Sequence, residues 1–136
     1  MHSFATPGDP ARPQIVLVED DILSARMVIK ILNAHGYDVT HAVTGLEGIQ
    51  YTQLLRPNLV LVDLGLPDLD GKVVATQLQK AVEPAAGIVC AFTNETGAKA
   101  KRLALAYGCQ FFISKPIDSR AFPGQIADLL NRALAK

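Results

Sequence analysis

Four short, unbroken apolar runs constrain this chain more than any other feature: Ile15-Val16-Leu17-Val18, Leu59-Val60-Leu61-Val62, Ile88-Val89-Cys90-Ala91-Phe92 and Phe111-Phe112-Ile113. Each is β-branched or aromatic in character and far shorter than a buried helix. A strand that is apolar at every position must be covered on both faces, which is the condition of a parallel sheet between two helical layers. A fifth segment, Tyr37 to Ala42, alternates instead. Tyr37, Val39 and His41 face one way and Asp38, Thr40 and Ala42 the other, as on an edge strand.

Helical patterns fill the intervals. Residues 22–35 place Met27, Val28, Ile31 and Leu32 on one face, and Gly36 follows as a stop. Thr44-Gly45-Leu46-Glu47 has the spacing of a capping box and opens a helix to about Leu55, ahead of Pro57. A third helix is expected from Lys72 to Val82, with Val74, Leu78 and Ala81 inward, and a fourth from Thr96 to Tyr107, stopped by Gly108. A fifth occupies roughly 119–135, where Pro123 and Gly124 leave its start open. The order is β-α five times: an α/β, doubly wound parallel sheet with right-handed crossovers.

Composition narrows the function. A chain of 136 residues suits one domain, with residues 1–13 as a flexible arm and 14–136 as the folded unit. Thirteen basic and thirteen acidic residues cancel, which excludes a whole-chain polybasic binder of nucleic acid or membrane. With 49% hydrophobic and 19% charged residues the chain is no disordered polymer. Its two cysteines, Cys90 and Cys109, sit in or beside apolar runs and read as buried reduced thiols. No stretch reaches the ~18 apolar residues of a membrane span. Met1 to Pro13 lacks the apolar core of a secretory signal, so a cytoplasmic setting is expected.

In such sheets chemistry collects at the carboxyl ends of the strands. Those ends carry Glu19, Asp20 and Asp21 after the first strand, Asp63 after the third, Thr93 after the fourth and Lys115-Pro116 after the fifth. Asp21 reads as a cap of the first helix. Glu19, Asp20 and Asp63 would raise one another's pKa, and a hard cation such as Mg²⁺ relieves that repulsion through oxygen ligands. Asp63 is then placed to attack a phosphoryl group as a nucleophile, while Mg²⁺, the Lys115 ammonium and the Thr93 hydroxyl compensate charge on its oxygens.

These pieces resemble the receiver domains of two-component response regulators. The resemblance rests on Ile15 to Asp21, on Leu59-Val60-Leu61-Val62-Asp63-Leu64-Gly65-Leu66-Pro67-Asp68-Leu69-Asp70-Gly71, on Ala91-Phe92-Thr93 and on Ile113-Ser114-Lys115-Pro116-Ile117. It implies a flavodoxin-like fold, five strands in the order 2-1-3-4-5 with five helices. It implies that Asp63 takes phosphate from a histidine kinase or histidine phosphotransferase, that Glu19, Asp20, Asp63 and the Gly65 carbonyl hold Mg²⁺, and that the Lys115–Pro116 bond is cis. It implies a switch in which Thr93 follows the phosphoryl group and Phe112 rotates. It also places a partner-docking stripe on the outer face of the first helix, here Ile22, Arg26 and Ile29. Gly65 and Asn94 depart from the family's usual residues and flank the route of water to the phosphorylated Asp63.

The expected output is protein binding by a stand-alone receiver, without nucleic acid or membrane, through the fourth helix, fifth strand and fifth helix, where Lys99, Lys101 and Arg102 are basic. The chain acts as a monomer or a phosphorylation-dependent dimer, and it is not an enzyme beyond its own phosphorylation and dephosphorylation. A phosphate-independent interaction module is the competing reading. Enzymes on similar sheets fit poorly: a dehalogenase-like phosphatase wants a second acid at position 65, and no G-x-G-x-x-G follows the first strand.

Overall fold

A computed structural model describes residues 12–68 and 70–134. The arm expected over residues 1–13 therefore lies, up to position 11, outside the described residues. The elements run β1 (Gln14–Val18), α1 (Ile22–Ala34), β2 (Asp38–Ala42), α2 (Gly45–Leu55), β3 (Leu59–Asp63), α3 (Gly71–Val82), a 3-10 turn (Glu83–Ala85), β4 (Ile88–Thr93), α4 (Gly97–Ala106), β5 (Phe111–Ser114) and α5 (Phe122–Leu134). The five strands form one parallel sheet in the order β2-β1-β3-β4-β5, so the alternating strand β2 is an edge as expected.

The unbroken apolar runs are explained by the two faces of that sheet. Ile15, Leu17, Leu59, Leu61, Cys90 and Phe92 pack against Val28 and Leu32 of α1 and Phe122, Ile126 and Leu130 of α5. Their neighbours Val16, Val18, Val60, Val62, Val89 and Ala91 point the other way, into a second core with Ile49 of α2, Val74 and Leu78 of α3 and Ala104 of α4. Because strand side chains alternate, each run feeds both cores at once. Phe92 and Phe122 meet with ring centroids 6.0 Å apart, and truncating either to Ala would cost about 3–5 kcal/mol. Cys90 and Cys109 are buried free thiols on opposite faces of the sheet.

The helix ends follow the local signals. Asp21 caps α1 by accepting from the Leu23 and Ser24 N–H groups. Thr44 Oγ1 accepts from the Glu47 N–H at 3.0 Å, and Glu47 returns a carboxylate to Val43 N–H, one residue before the cap. Asp70 accepts from Lys72 N–H and starts α3. The fifth helix begins at Phe122 rather than near 119. Asp118 first closes a turn, its side chain accepting from Arg120 N–H and its carbonyl from Phe122 N–H, so Pro123 falls in the first helical turn, where its missing N–H is tolerated.

The phase of α1 also differs from the expectation. Its buried residues are Ala25, Val28 and Leu32. Met27, expected inward, is 46% exposed, whereas Ile29, expected outward, packs against the α1/α5 core. The small Ala25 shares the buried face with Val28 and Leu32, so large residues alone misplace the stripe.

Candidate functional site

The parallel register brings the strand ends to one edge. Val18 lies opposite Val62, Asp63 opposite Phe92 and Thr93 opposite Ser114. The residues that continue these strands therefore converge. Carboxylate oxygens of Glu19, Asp20 and Asp63 lie within 4.8 Å of one another. Asp20 is exposed, Asp63 half-buried and Glu19 almost wholly buried.

Lys115 reaches into this cluster from the loop after β5. Its Nζ lies 2.6 Å from Glu19 Oε1 and 3.3 Å from Asp63 Oδ2, and 6.0 Å from the centre of the Phe92 ring. The peptide bond to Pro116 is cis, as the resemblance implies. Burial raises the Glu19 pKa above the usual carboxylate value, with Asp63 adding to the rise and Lys115 opposing it. For Lys115 burial favours the neutral amine, but Glu19 and Asp63 outweigh it and raise the pKa. Three oxygen ligands around a shallow, partly open point, with one acid held reluctantly ionised, form a donor set that fits a hard divalent cation.

The backbone around the cluster is pinned. Glu19 N–H donates to the Ala42 carbonyl, and His41 Nε2 lies 2.8 Å from the Glu19 carbonyl, so β2 fixes the turn that bears the buried acid. Asp63 Oδ1 accepts from the Gly65 N–H at 2.9 Å. Thr93 is buried, and its hydroxyl accepts from Glu95 N–H; the cap position of α4 belongs to Thr96, so Thr93 is not spent on capping. Ser114 Oγ donates to the Glu95 carbonyl at 2.8 Å and ties the β4–α4 loop to β5.

Two contributors escape a reading of the sequence. Asp68 accepts from both the Gly45 and Leu46 N–H groups and fastens the loop after Asp63 to the start of α2. Tyr107, the residue that ends α4, lines a cleft of about 200 Å³ together with Asp63, Gly65, Thr93, Asn94 and Leu103. Neither pairing has a sequence signal, because each joins residues far apart in the chain. Phe112 packs against the α2–α4 core without lining that cleft. Of the expected docking stripe, Ile22 and Arg26 are exposed and Ile29 is turned inward.

Residues 15–127 match the family model of the response regulator receiver domain. The chain belongs to that family. Among curated relatives, the receiver is 31% identical over 122 residues to the aerobic respiration control protein ArcA of Escherichia coli K12, covering 90% of this chain and 50% of ArcA. It is 29% identical over 119 residues to the polar-differentiation response regulator DivK of Brucella anthropi, covering 88% of this chain and 97% of DivK. The receiver thus spans about half the length of the first curated relatives it matches, and nearly all of DivK. A CheY-like receiver domain protein from Methanospirillum hungatei JF-1 superimposes with a TM-score of 0.80 at 26% identity, over 91% of this chain and 98% of that one. No described helix is long and apolar enough to cross a membrane.

Proposed function

We propose that this receiver is a phosphoacceptor: Asp63 takes a phosphoryl group from a phosphohistidine of a kinase or phosphotransferase. The observation that carries the reading is the convergence of Glu19, Asp20, Asp63, Thr93 and Lys115 at one sheet edge, with Lys115 already bound to two of the acids. An Asp63 oxygen forms a bond to phosphorus as the P–N bond to the donor imidazole breaks. The bonding pair stays on that nitrogen, and the product is an acyl phosphate. Glu19, Asp20, Asp63 and the Gly65 carbonyl would hold Mg²⁺, which when bound supplies charge compensation to the phosphoryl oxygens. Lys115 neutralises a further oxygen, and the Thr93 hydroxyl is positioned to donate to another on exchanging its present bond with Glu95 N–H.

The β4–α4 loop is the element that such an exchange would move, and Phe112 on the adjoining strand is the aromatic placed to follow it. The resulting bias of two conformations would be read by a downstream protein at the face of α4, β5 and α5. Lys101 and Arg102 are exposed there, and Lys99 pairs loosely with Glu95 at 3.5 Å. The donor would dock on the start of α1. Ile22, Leu23 and Met27 are exposed beside a groove lined by Ser24, Val28, Pro116 and Ile117 that opens next to Glu19 and Lys115. We place this signalling in the cytoplasm, with protein contact rather than nucleic acid as its output.

The test is chemical. Incubation with a small phosphoramidate and Mg²⁺ should yield a label that hydroxylamine removes, as it removes acyl phosphates, and chelation of Mg²⁺ should prevent labelling. A hydroxylamine-stable label, or labelling indifferent to chelation, contradicts the reading.

A further inference from the structure

We propose that Tyr107 is a positioning residue of the phosphoryl site: its ring walls the cleft beside Asp63 and keeps hydrolytic water from the phosphorylated side chain. This rests on the phosphoacceptor reading and adds to it a residue at the end of α4 that none of the site motifs contains.

Three observations support it. The cleft between the loop after β3 and α4 is lined by Asp63, Gly65, Thr93 and Asn94 on the side of the reacting groups and by Leu103 and Tyr107 on the side of α4. The Tyr107 ring reaches across to the start of α3: a methyl group placed on Gly71 would come within 2.9 Å of its Cε2 and 3.3 Å of its Cζ. The absence of a side chain at Gly71 is therefore what seats the ring. Finally, the neighbouring site residues leave this side open. Gly65 has no side chain, and a Cβ there would meet only Asp63 Oδ1, at an ordinary 3.5 Å. With Gly65 bare, the bulk lining the cleft comes from Leu64, Phe92, Leu103 and Tyr107, and Tyr107 is the aromatic ring that α4 contributes.

Hydrolysis of the acyl phosphate needs a water oxygen to bond to phosphorus. The bond from phosphorus to the Asp63 oxygen then breaks, its electron pair returns to the carboxylate, and the water's proton leaves to solvent. An aromatic wall that narrows the cleft lowers the occupancy of water in attacking position without touching the phosphoryl transfer itself. The phenol oxygen is not needed for this; the ring is.

The experiment follows loss of phosphate by intact mass after removal of the small phosphodonor, in wild type, Tyr107→Ala, Tyr107→Leu and Tyr107→Phe, with Mg²⁺ affinity measured alongside. Tyr107→Ala should lose phosphate roughly tenfold faster, and Tyr107→Leu, which keeps apolar bulk should the smaller side chain compromise folding, severalfold faster. Tyr107→Phe should restore the wild-type lifetime, and Mg²⁺ affinity should stay the same in all. Equal lifetimes in wild type, Ala and Leu variants overturn the proposal, as does a Phe variant that decays like Ala. Parallel loss of Mg²⁺ affinity also overturns it, because it marks a general loosening of the site. If wild type gains no phosphate, the phosphoacceptor reading fails first and the inference with it.

Discussion

Lys115 Nζ donates to Glu19 Oε1 at 2.6 Å while standing 3.3 Å from Asp63 Oδ2, so one ammonium bridges the buried and the half-buried acid of the cluster. That ammonium bridges two of the three acids, and it also competes with any cation they bind. Replacing it with an uncharged chain of similar length removes the competitor. Lys115→Met should tighten Mg²⁺ binding at pH 8 by roughly tenfold, about 1.4 kcal/mol, while slowing phosphorylation. Titration of Mg²⁺ by calorimetry checks this; an unchanged or weaker affinity contradicts it.

The raised pKa of Glu19 sets the direction of a pH effect. Burial holds its carboxyl above the ordinary 4.5, so just above that value the folded chain binds a proton that the unfolded chain has released. In that window the contribution of Glu19 to stability falls as pH rises. Mg²⁺ favours the ionised form and is opposed by the same proton. Affinity for Mg²⁺ should therefore weaken on acidification before ordinary carboxylates titrate. Glu19→Gln should flatten this dependence, and a wild-type affinity constant down to pH 4.5 speaks against it.

The close approach of α2 to β1 depends on a missing side chain. A methyl group on Gly48 would lie 2.6 Å from Val18 Cγ2 and 2.9 Å from Cγ1. Val18 is fully buried and stiff at χ1, so it has nowhere to turn. Alanine raises helix propensity by about 1 kcal/mol, but overpacking costs about 1–3 kcal/mol. Gly48→Ala should be net destabilising by about 1 kcal/mol in urea unfolding, and a stabilised variant would show that the two elements separate freely.

The two N–H groups at the start of α2 that share the Asp68 carboxylate provide another test. A negative charge and two hydrogen bonds at a helix N-terminus are together worth about 1–2 kcal/mol. Asp68→Ala should lower stability by that amount. Asp68→Asn, which keeps an acceptor but loses the charge, should fall between. Equal stability of all three forms would mean that solvent satisfies the helix end as well.

The strands, their parallel pairing and the acids at their ends were legible because buried parallel strands leave continuous apolar runs and because Asp63, Thr93 and Lys115 each lie at or just beyond such a run. Caps at Asp21 and Thr44 were legible because their effect is local. What was not legible depends on packing between distant segments. The inward turn of Ile29 and the outward turn of Met27 follow from a buried face of α1 that includes the small Ala25, which a stripe of large residues passes over. The reach of Tyr107 to Gly71 joins α4 to α3, and Asp68 joins a loop to a helix 23 residues earlier. The start of α5 was set by Asp118, whose turn competes with the helix for the same backbone groups.

Every role proposed for the strand-end cluster depends on phosphorylation of Asp63. Intact mass after incubation with Mg²⁺ and a small phosphodonor, beside Asp63→Ala, tests it most directly. Wild type should gain one phosphoryl group and the variant none. No gain in wild type at saturating Mg²⁺, or an equal gain in Asp63→Ala, would contradict it and favour a receiver that works by protein contact without phosphate.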